Sequence, residues 1–178
     1  MSRFGLFALS ALMLASLLVT GPAAAVGKPK VALEVDFALP VNMNGAKPGA
    51  GGALRGGYDL DLTIVHVMPE IGIGVHKLTE PGGPSIIRGF AGGRAGIGAG
   101  VRFDAFLHIG YGSVAYPAAG LDSSYGTPIL DGGLALDFTL LPVVDLGLHV
   151  SYNTAFKTLG TSDTPRWLGL GAHLAVAF

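Results

Sequence analysis

The sequence predicts an all-β protein, an eight-stranded antiparallel transmembrane up-and-down β-barrel preceded by a cleaved signal peptide. Three observations carry this. Bulky apolar residues alternate with small or polar ones at period two through most of the chain, the pattern of strands with two unlike faces. The composition is 13% charged and 50% hydrophobic, against about 25% charged in soluble domains. Yet nothing after the first 25 residues approaches the run of about 18 apolar residues that a membrane helix needs. Finally, the connections between alternating segments are short and long by turns, as at the two rims of a membrane barrel.

Residues 1–25 have Arg3 ahead of an apolar run from Phe4 to Val19, then Gly21-Pro22 and Ala23-Ala24-Ala25. A basic start, an apolar stretch and a small-residue cleavage site define a secretory signal peptide. The barrel domain is then 26–178. The chain has no cysteine, so this exported domain is expected to hold together without disulfides.

Eight segments alternate. In VALEVDFAL, Val31, Leu33, Val35, Phe37 and Leu39 oppose Glu34 and Asp36. In YDLDLTIV, Tyr58, Leu60, Leu62 and Ile64 oppose Asp59, Asp61 and Thr63. IGIGVHK sets Ile71, Ile73 and Val75 against Gly72, Gly74 and His76. IIRGFAGGRAGIG carries Arg88 and Arg94 on one parity and Gly89, Ala91, Gly93 and Ala95 on the other. RFDAFLHIGYG sets Phe103, Ala105, Leu107, Ile109 and Tyr111 against Arg102, Asp104, Phe106 and His108. LDGGLALDFTL sets Leu134, Leu136, Phe138 and Leu140 against Asp131, Ala135 and Asp137. VDLGLHVSYN sets Leu146, Leu148, Val150 and Tyr152 against Asp145, His149 and Ser151. The last segment, WLGLGAHLAVAF, sets Leu168, Leu170, Leu174, Val176 and Phe178 against His173 and small residues.

Tight turns are expected at Met68-Pro69, Ala99-Gly100-Val101 and Leu141-Pro142-Val143. Longer loops are expected at 40–57, 79–85, 114–128 and 154–165. An even strand number puts both termini at the short-turn rim. A soluble up-and-down barrel would turn its polar face outward, but that face is mostly Gly, Ala, Asp, Arg and His, with scarcely any Lys or Glu. Small residues suit the crowded interior of a narrow barrel, and the bulky Leu, Val, Ile and Phe suit acyl chains. The polar face is therefore read as the inside. It gathers Glu34, Asp36, Asp59, Asp61, His76, Arg88, Arg94, Arg102, Asp104, His108, Asp131, Asp137, Asp145, His149 and His173. Mixed charges facing one narrow lumen imply an ion-pair network, since buried charges persist when paired.

In this architecture the chain resembles the small eight-stranded outer-membrane proteins of Gram-negative bacteria, the OmpA transmembrane domain and OmpX type. The most specific match is the end of the chain. In that family the last strand finishes in Phe with apolar residues at alternate positions, read by the barrel-assembly machinery. Leu168, Leu170, Leu174, Val176 and Phe178 fit, and Ala172 departs as a small residue. The resemblance implies residence in a bacterial outer membrane with both termini periplasmic. Its implied partners are outer-membrane lipids, lipopolysaccharide and the assembly machinery.

Other motifs carry less. His149 and Ser151 share a strand face, as a base and nucleophile would. They look similar to the His-x-Ser-Asn run of the outer-membrane lipid A 3-O-deacylases, but Tyr152 stands where Asn should follow and both side chains point inward. GGRAGIGAG resembles a phosphate loop, yet a strand and not a helix follows it. Gly89, Ala91, Gly93 and Ala95 would leave a flat stripe facing lipid. Either a glycine bulge shifts the register there, or the stripe contacts another protein or a second copy. Lys47 and Arg55 in the first long loop, and Tyr116 and Tyr125 in the third, are candidates for surface contacts. No cofactor or metal motif is present, and a net charge of −1 points to no nucleic-acid partner. The expected function is that of a non-enzymatic outer-membrane barrel, structural or interacting through its loops, with a polar side-chain plug. The alternatives are a narrow solute or ion channel, and a lipid A-modifying deacylase.

Deleting Phe178 is expected to reduce barrel assembly and leave protease-sensitive periplasmic protein, scored by membrane fractionation. Normal membrane levels of the deletion variant would count against a C-terminal assembly signal.

Overall fold

The computed structural model describes residues 27–43, 45–62, 64–79, 83–118, 121–156 and 164–178; the side chains of 117, 118 and 121–123 are not described. The expected signal peptide and Val26 lie outside the described residues. Eight strands form one closed antiparallel barrel in sequence order. They are β1 (Gly27–Pro40), β2 (Lys47–Leu62), β3 (Val65–Thr79), β4 (Ser85–Ala99), β5 (Val101–Ala118), β6 (Leu121–Leu141), β7 (Val144–Ala155) and β8 (Arg166–Ala177). Closure is made by β1 against β8, paired from Lys30↔Ala177 to Pro40↔Trp167.

The period-two pattern fixes the faces. Outward side chains such as Leu33, Ile73 and Ile109 are 60–63% exposed, while residues of the other parity, such as Asp104 and Ala135, are buried. Along β5 the outward Phe103 and Tyr111 are eight residues apart, roughly 26 Å of tilted strand at about 3.3 Å per residue. At the strand tilt of about 35–45° usual in such barrels this spans roughly 20 Å of height, somewhat less than the apolar band of about 25 Å between aromatic girdles. Phe103, Phe138 and Phe178 flank it towards the short-turn rim, and Phe37, Tyr111 and Tyr152 towards the other; all six are exposed.

Several boundaries differ from the sequence reading. Met68-Pro69 is not a turn but part of β3; β2 ends at Leu62 and β3 begins at Val65, and the Ile64 amide between them donates to the Leu62 carbonyl. Proline has no amide hydrogen to give a ladder. Accordingly the β2–β3 pairing is interrupted between Gly57↔Glu70 and Leu60↔Val67 without losing register, while Pro69 still pairs with Gly93 of β4. The turn at Gly100 is as expected; its φ of 78° is a conformation that favours glycine. Much of 40–57 and of 114–128 is strand rather than loop. β5 and β6 stay paired out to Ala118↔Leu121 and so project as a hairpin beyond the girdle at Tyr111.

No bulge interrupts β4. Its pairing with β3 and β5 runs in continuous register, so Gly89, Ala91, Gly93 and Ala95 do form an outward stripe of small residues. Ile71, Ile73 and Val75 rise on one side of it and Leu107, Ile109 and Tyr111 on the other. The register irregularities lie elsewhere, at Lys47/Ala50 in β2 and Thr139/Leu141 in β6.

The two faces make opposite demands on a substitution. Leu136→Arg places a charge on the outer face, one outward position inside the girdle at Phe138, and is expected to cost roughly 1–3 kcal/mol, between the interfacial and midplane limits, whereas Ala135→Ser, its inward neighbour, should be mild. Urea titration of the refolded barrel checks this, and a reversed order of severity would mean that inside and outside are exchanged.

Candidate functional site

The inward parity builds two stacked zones in the lumen. The zone nearer the short-turn rim is ionic. Lys30, Arg55, Arg88, Arg94 and Arg102 supply its described cations, and Glu34, Asp36, Asp59, Glu70, Asp104, Asp131, Asp137 and Asp145 its carboxylates. Within this zone the described acids therefore outnumber Lys and Arg by three.

Glu70 is the hub. Its side chain is 0% exposed. One carboxylate oxygen accepts from Arg55 Nη1 at 2.8 Å and from Arg94 Nε at 3.0 Å, while the other lies 2.9 Å from His108 Nε2. Arg55 Nε also donates to Glu34. Arg94 Nη1 donates to Asp104 at 3.3 Å and lies 3.6 Å from Asp137. Towards the short-turn rim, Lys30 bridges Asp59 at 2.8 Å and Asp145 at 2.7 Å, and Arg102 Nη2 donates to Asp145 at 2.6 Å. On the far side of the hub, Arg88 donates to Asp131 at 2.9 Å, and Asp131 also meets His108 Nδ1 at 3.2 Å. Two inward aromatics are layered into the network: Arg88 lies over Phe90 at 5.2 Å and Arg94 over Phe106 at 5.3 Å, distances at which a guanidinium is attracted to a ring face.

The second zone, nearer the longer connections, is apolar. Ala38, Leu78, Ile86, Val114, Tyr125, Ile129, Ala155 and Trp167 pack there as one buried cluster. Trp167 is 0% exposed. Its ring lies 5.5 Å from that of His76, whose Nε2 is 3.1 Å from Asp36, so this pair marks the boundary between the zones. At the opposite end the lumen opens as a funnel of about 490 Å³ at the short-turn rim, lined by Lys30, Asp59, Asp61, His66, Arg102 and Asp145 among others.

Most of the residues assigned inward from the sequence sit in the ionic zone. Glu34, Asp36 and His149 are only half-buried, and Asp61 is exposed at the mouth of the funnel, where its strand runs out of the barrel wall. The alternation predicts three inward arginines; the structure adds Arg55, and with it Lys30, His66 and Glu70. Each has the inward parity of its strand. All four lie where the strands extend further than the sequence predicts, at positions expected to be flanks, turn or loop. His149 and Ser151 do not form a base–nucleophile pair. Ser151 Oγ accepts from Asn153 Nδ2 at 2.9 Å inside the barrel, and Ser151 is buried. The structure instead gathers Glu34, His149 and His173, whose ligand-type atoms all lie within 4.8 Å of one another.

No family model matches the chain, and no curated protein matches it. Solved structures do match. Neisserial surface protein A aligns at a TM-score of 0.68 and 17% identity, over 84% of this chain and 97% of that one. Ail, the attachment invasion locus protein of Yersinia pestis, aligns at 0.53 and 20%, over 84% and 98%. A major outer membrane protein from Thermus thermophilus aligns at 0.51 and 13%, over 86% and 100%. The fold is thus that of the small outer-membrane β-barrels.

Removing one partner of a buried pair costs about 3–5 kcal/mol, because the other charge is left stranded. Arg94→Ala is accordingly expected to destabilise the refolded barrel by a few kcal/mol in urea at neutral pH. The loss should shrink at acidic pH, where a stranded carboxylate takes up a proton. Wild-type stability in this variant, with altered ion selectivity in a bilayer, would instead describe a water-filled lumen.

Proposed function

We propose that this protein is a non-enzymatic outer-membrane barrel, a sealed and rigid support that acts through the rim bearing its longer connections, with both termini periplasmic. The observation that carries this reading is the apolar zone around Trp167, Leu78, Ile86 and Ile129. It fills much of the lumen beyond the ionic network, sharing that end with the buried Thr127 and Asn153. Eight strands enclose a space that side chains can fill, and here the filling is ionic at one end and dry at the other. A hydrated ion entering the funnel meets the network around Glu70 and then a largely apolar layer around Trp167.

The same geometry weighs against catalysis on lipid. Ser151 is enclosed, hydrogen-bonded to Asn153 and on the opposite face from the acyl chains. Among the described residues, the paired end of β5 and β6 extends beyond the girdle at Tyr111. At its base the inward Tyr116 and Tyr125 rings stack at 6.5 Å and 13°, so the hairpin leaves the membrane on a packed footing. Rigid scaffolds characteristically carry binding function on such projections.

The purified protein in a planar bilayer is expected to show no unitary conductance steps, while running on unboiled gels as a folded barrel. Reproducible ion-selective steps from the folded species would replace this reading with that of a narrow channel.

A further inference from the structure

We infer that the lumen holds a binding site for a divalent transition ion of the zinc type, built from Glu34, His149 and His173. Three neighbouring strands contribute. Glu34 of β1 is paired directly with His173 of β8, and His149 of β7 is paired with Gly171, two residues from His173 on the same strand. One carboxylate oxygen and one nitrogen of each imidazole lie within 4.8 Å of one another, so small side-chain rotations bring them to a common ion.

Three further observations point to a ligand. First, ring nitrogens are unused: Nδ1 of His149 and Nδ1 of His173 are both buried without a hydrogen-bond partner, as are those of His66 and His76, but only the first two share their surroundings with a third ligand-type atom, that of Glu34; an unpaired buried polar atom is costly. The other nitrogen of His173, Nε2, lies 2.9 Å from Asp137 Oδ1. A histidine that ligates through one nitrogen characteristically presents the other to a carboxylate, which orients the ring and raises its basicity. Second, two glycines make room for the rings. A Cβ on Gly147 would overlap the His173 imidazole, and one on Gly171 would overlap that of His149. Third, His149 stands apart from the other inward histidines. His66, His76, His108 and His173 each lie at 2.9–3.2 Å from an acid, whereas His149 has no such pair among the described residues.

Two imidazoles and a carboxylate suit zinc and its neighbours among the transition ions. Calcium and magnesium, which take six or more oxygens, are poorly served. Glu34 keeps its hydrogen bond from Arg55 on one oxygen and has the other for the ion. The ion would join β7, β8 and β1 across the seam where the barrel closes, a cross-link in a chain without cysteine.

The full protein, extracted folded in mild detergent and stripped with a chelator, is titrated with Zn²⁺ and with Ca²⁺ at neutral pH. The expected result is one equivalent of zinc bound, a rise in the thermal midpoint with zinc alone, and no response to calcium. His149→Asn and Glu34→Gln should each weaken zinc binding at least about 10-fold, as loss of a ligand does when even outer-shell partners are worth 10–100-fold. His76→Asn, a buried histidine outside the group, should leave it unchanged. Unboiled gels establish that each variant is folded. Absence of zinc uptake by the wild-type protein, or undiminished uptake by either folded ligand variant, would overturn the site.

Discussion

Closure of the sheet is the constraint on which the rest of the structure depends. A strand surrounded by hydrocarbon has no water to satisfy its amide and carbonyl groups, so an open edge is prohibitive. The pairing of β1 with β8 from Lys30↔Ala177 to Pro40↔Trp167 removes that edge. With eight strands, closure creates a lumen so narrow that inward side chains must fill it. The inward parity is therefore selected for packing, and small residues such as Ala32, Ala53 and Ala135 are buried there beside arginines.

The filling is divided unevenly, and the division has consequences. Ion pairs in a low-dielectric interior offset a large desolvation cost and are weak evidence for stability in themselves. What they add here is discrimination between registers. Glu34 of β1, Arg55 of β2, Glu70 of β3, Arg94 of β4 and Asp104 of β5 form one connected set. Sliding any of these strands by one residue would turn its charge towards lipid and strand its partners, because side chains alternate strictly between faces. The apolar cluster around Trp167 penalises such errors less sharply, but it packs the far end of the lumen.

Outside, the surface is tuned by the size of its side chains as well as by their polarity. Most strands present Leu, Val, Ile or Phe to the bilayer, whereas β4 presents Gly89, Ala91, Gly93 and Ala95 between two taller ridges. The unbroken register of β4 with both neighbours makes this a property of the side chains and not of a distorted backbone. The proline in β3 is accommodated in the opposite way: the backbone ladder to β2 is surrendered locally while the faces stay in phase.

Faces and strand number were legible in the sequence, because a strand's side-chain period is two whatever surrounds it. Once Leu134, Leu136 and Phe138 are outward, Asp137 must be inward. Boundaries were less legible. Pro69 looked like a turn and the glycines of 49–57 like a loop, since those residues carry little strand propensity of their own; pairing with neighbours overrode it, and Arg55 and Glu70 went unseen with those segments. Parity also says nothing about height or azimuth in the barrel. That Glu70 meets Arg55, Arg94 and His108, that His149 and His173 approach Glu34, and that Trp167 caps the network follow from the tilt and stagger of eight strands closing on one another. Those contacts join residues from different strands, in one case from opposite ends of the chain, Glu34 of the first strand and His173 of the last, and only the closed tertiary structure brings them within reach.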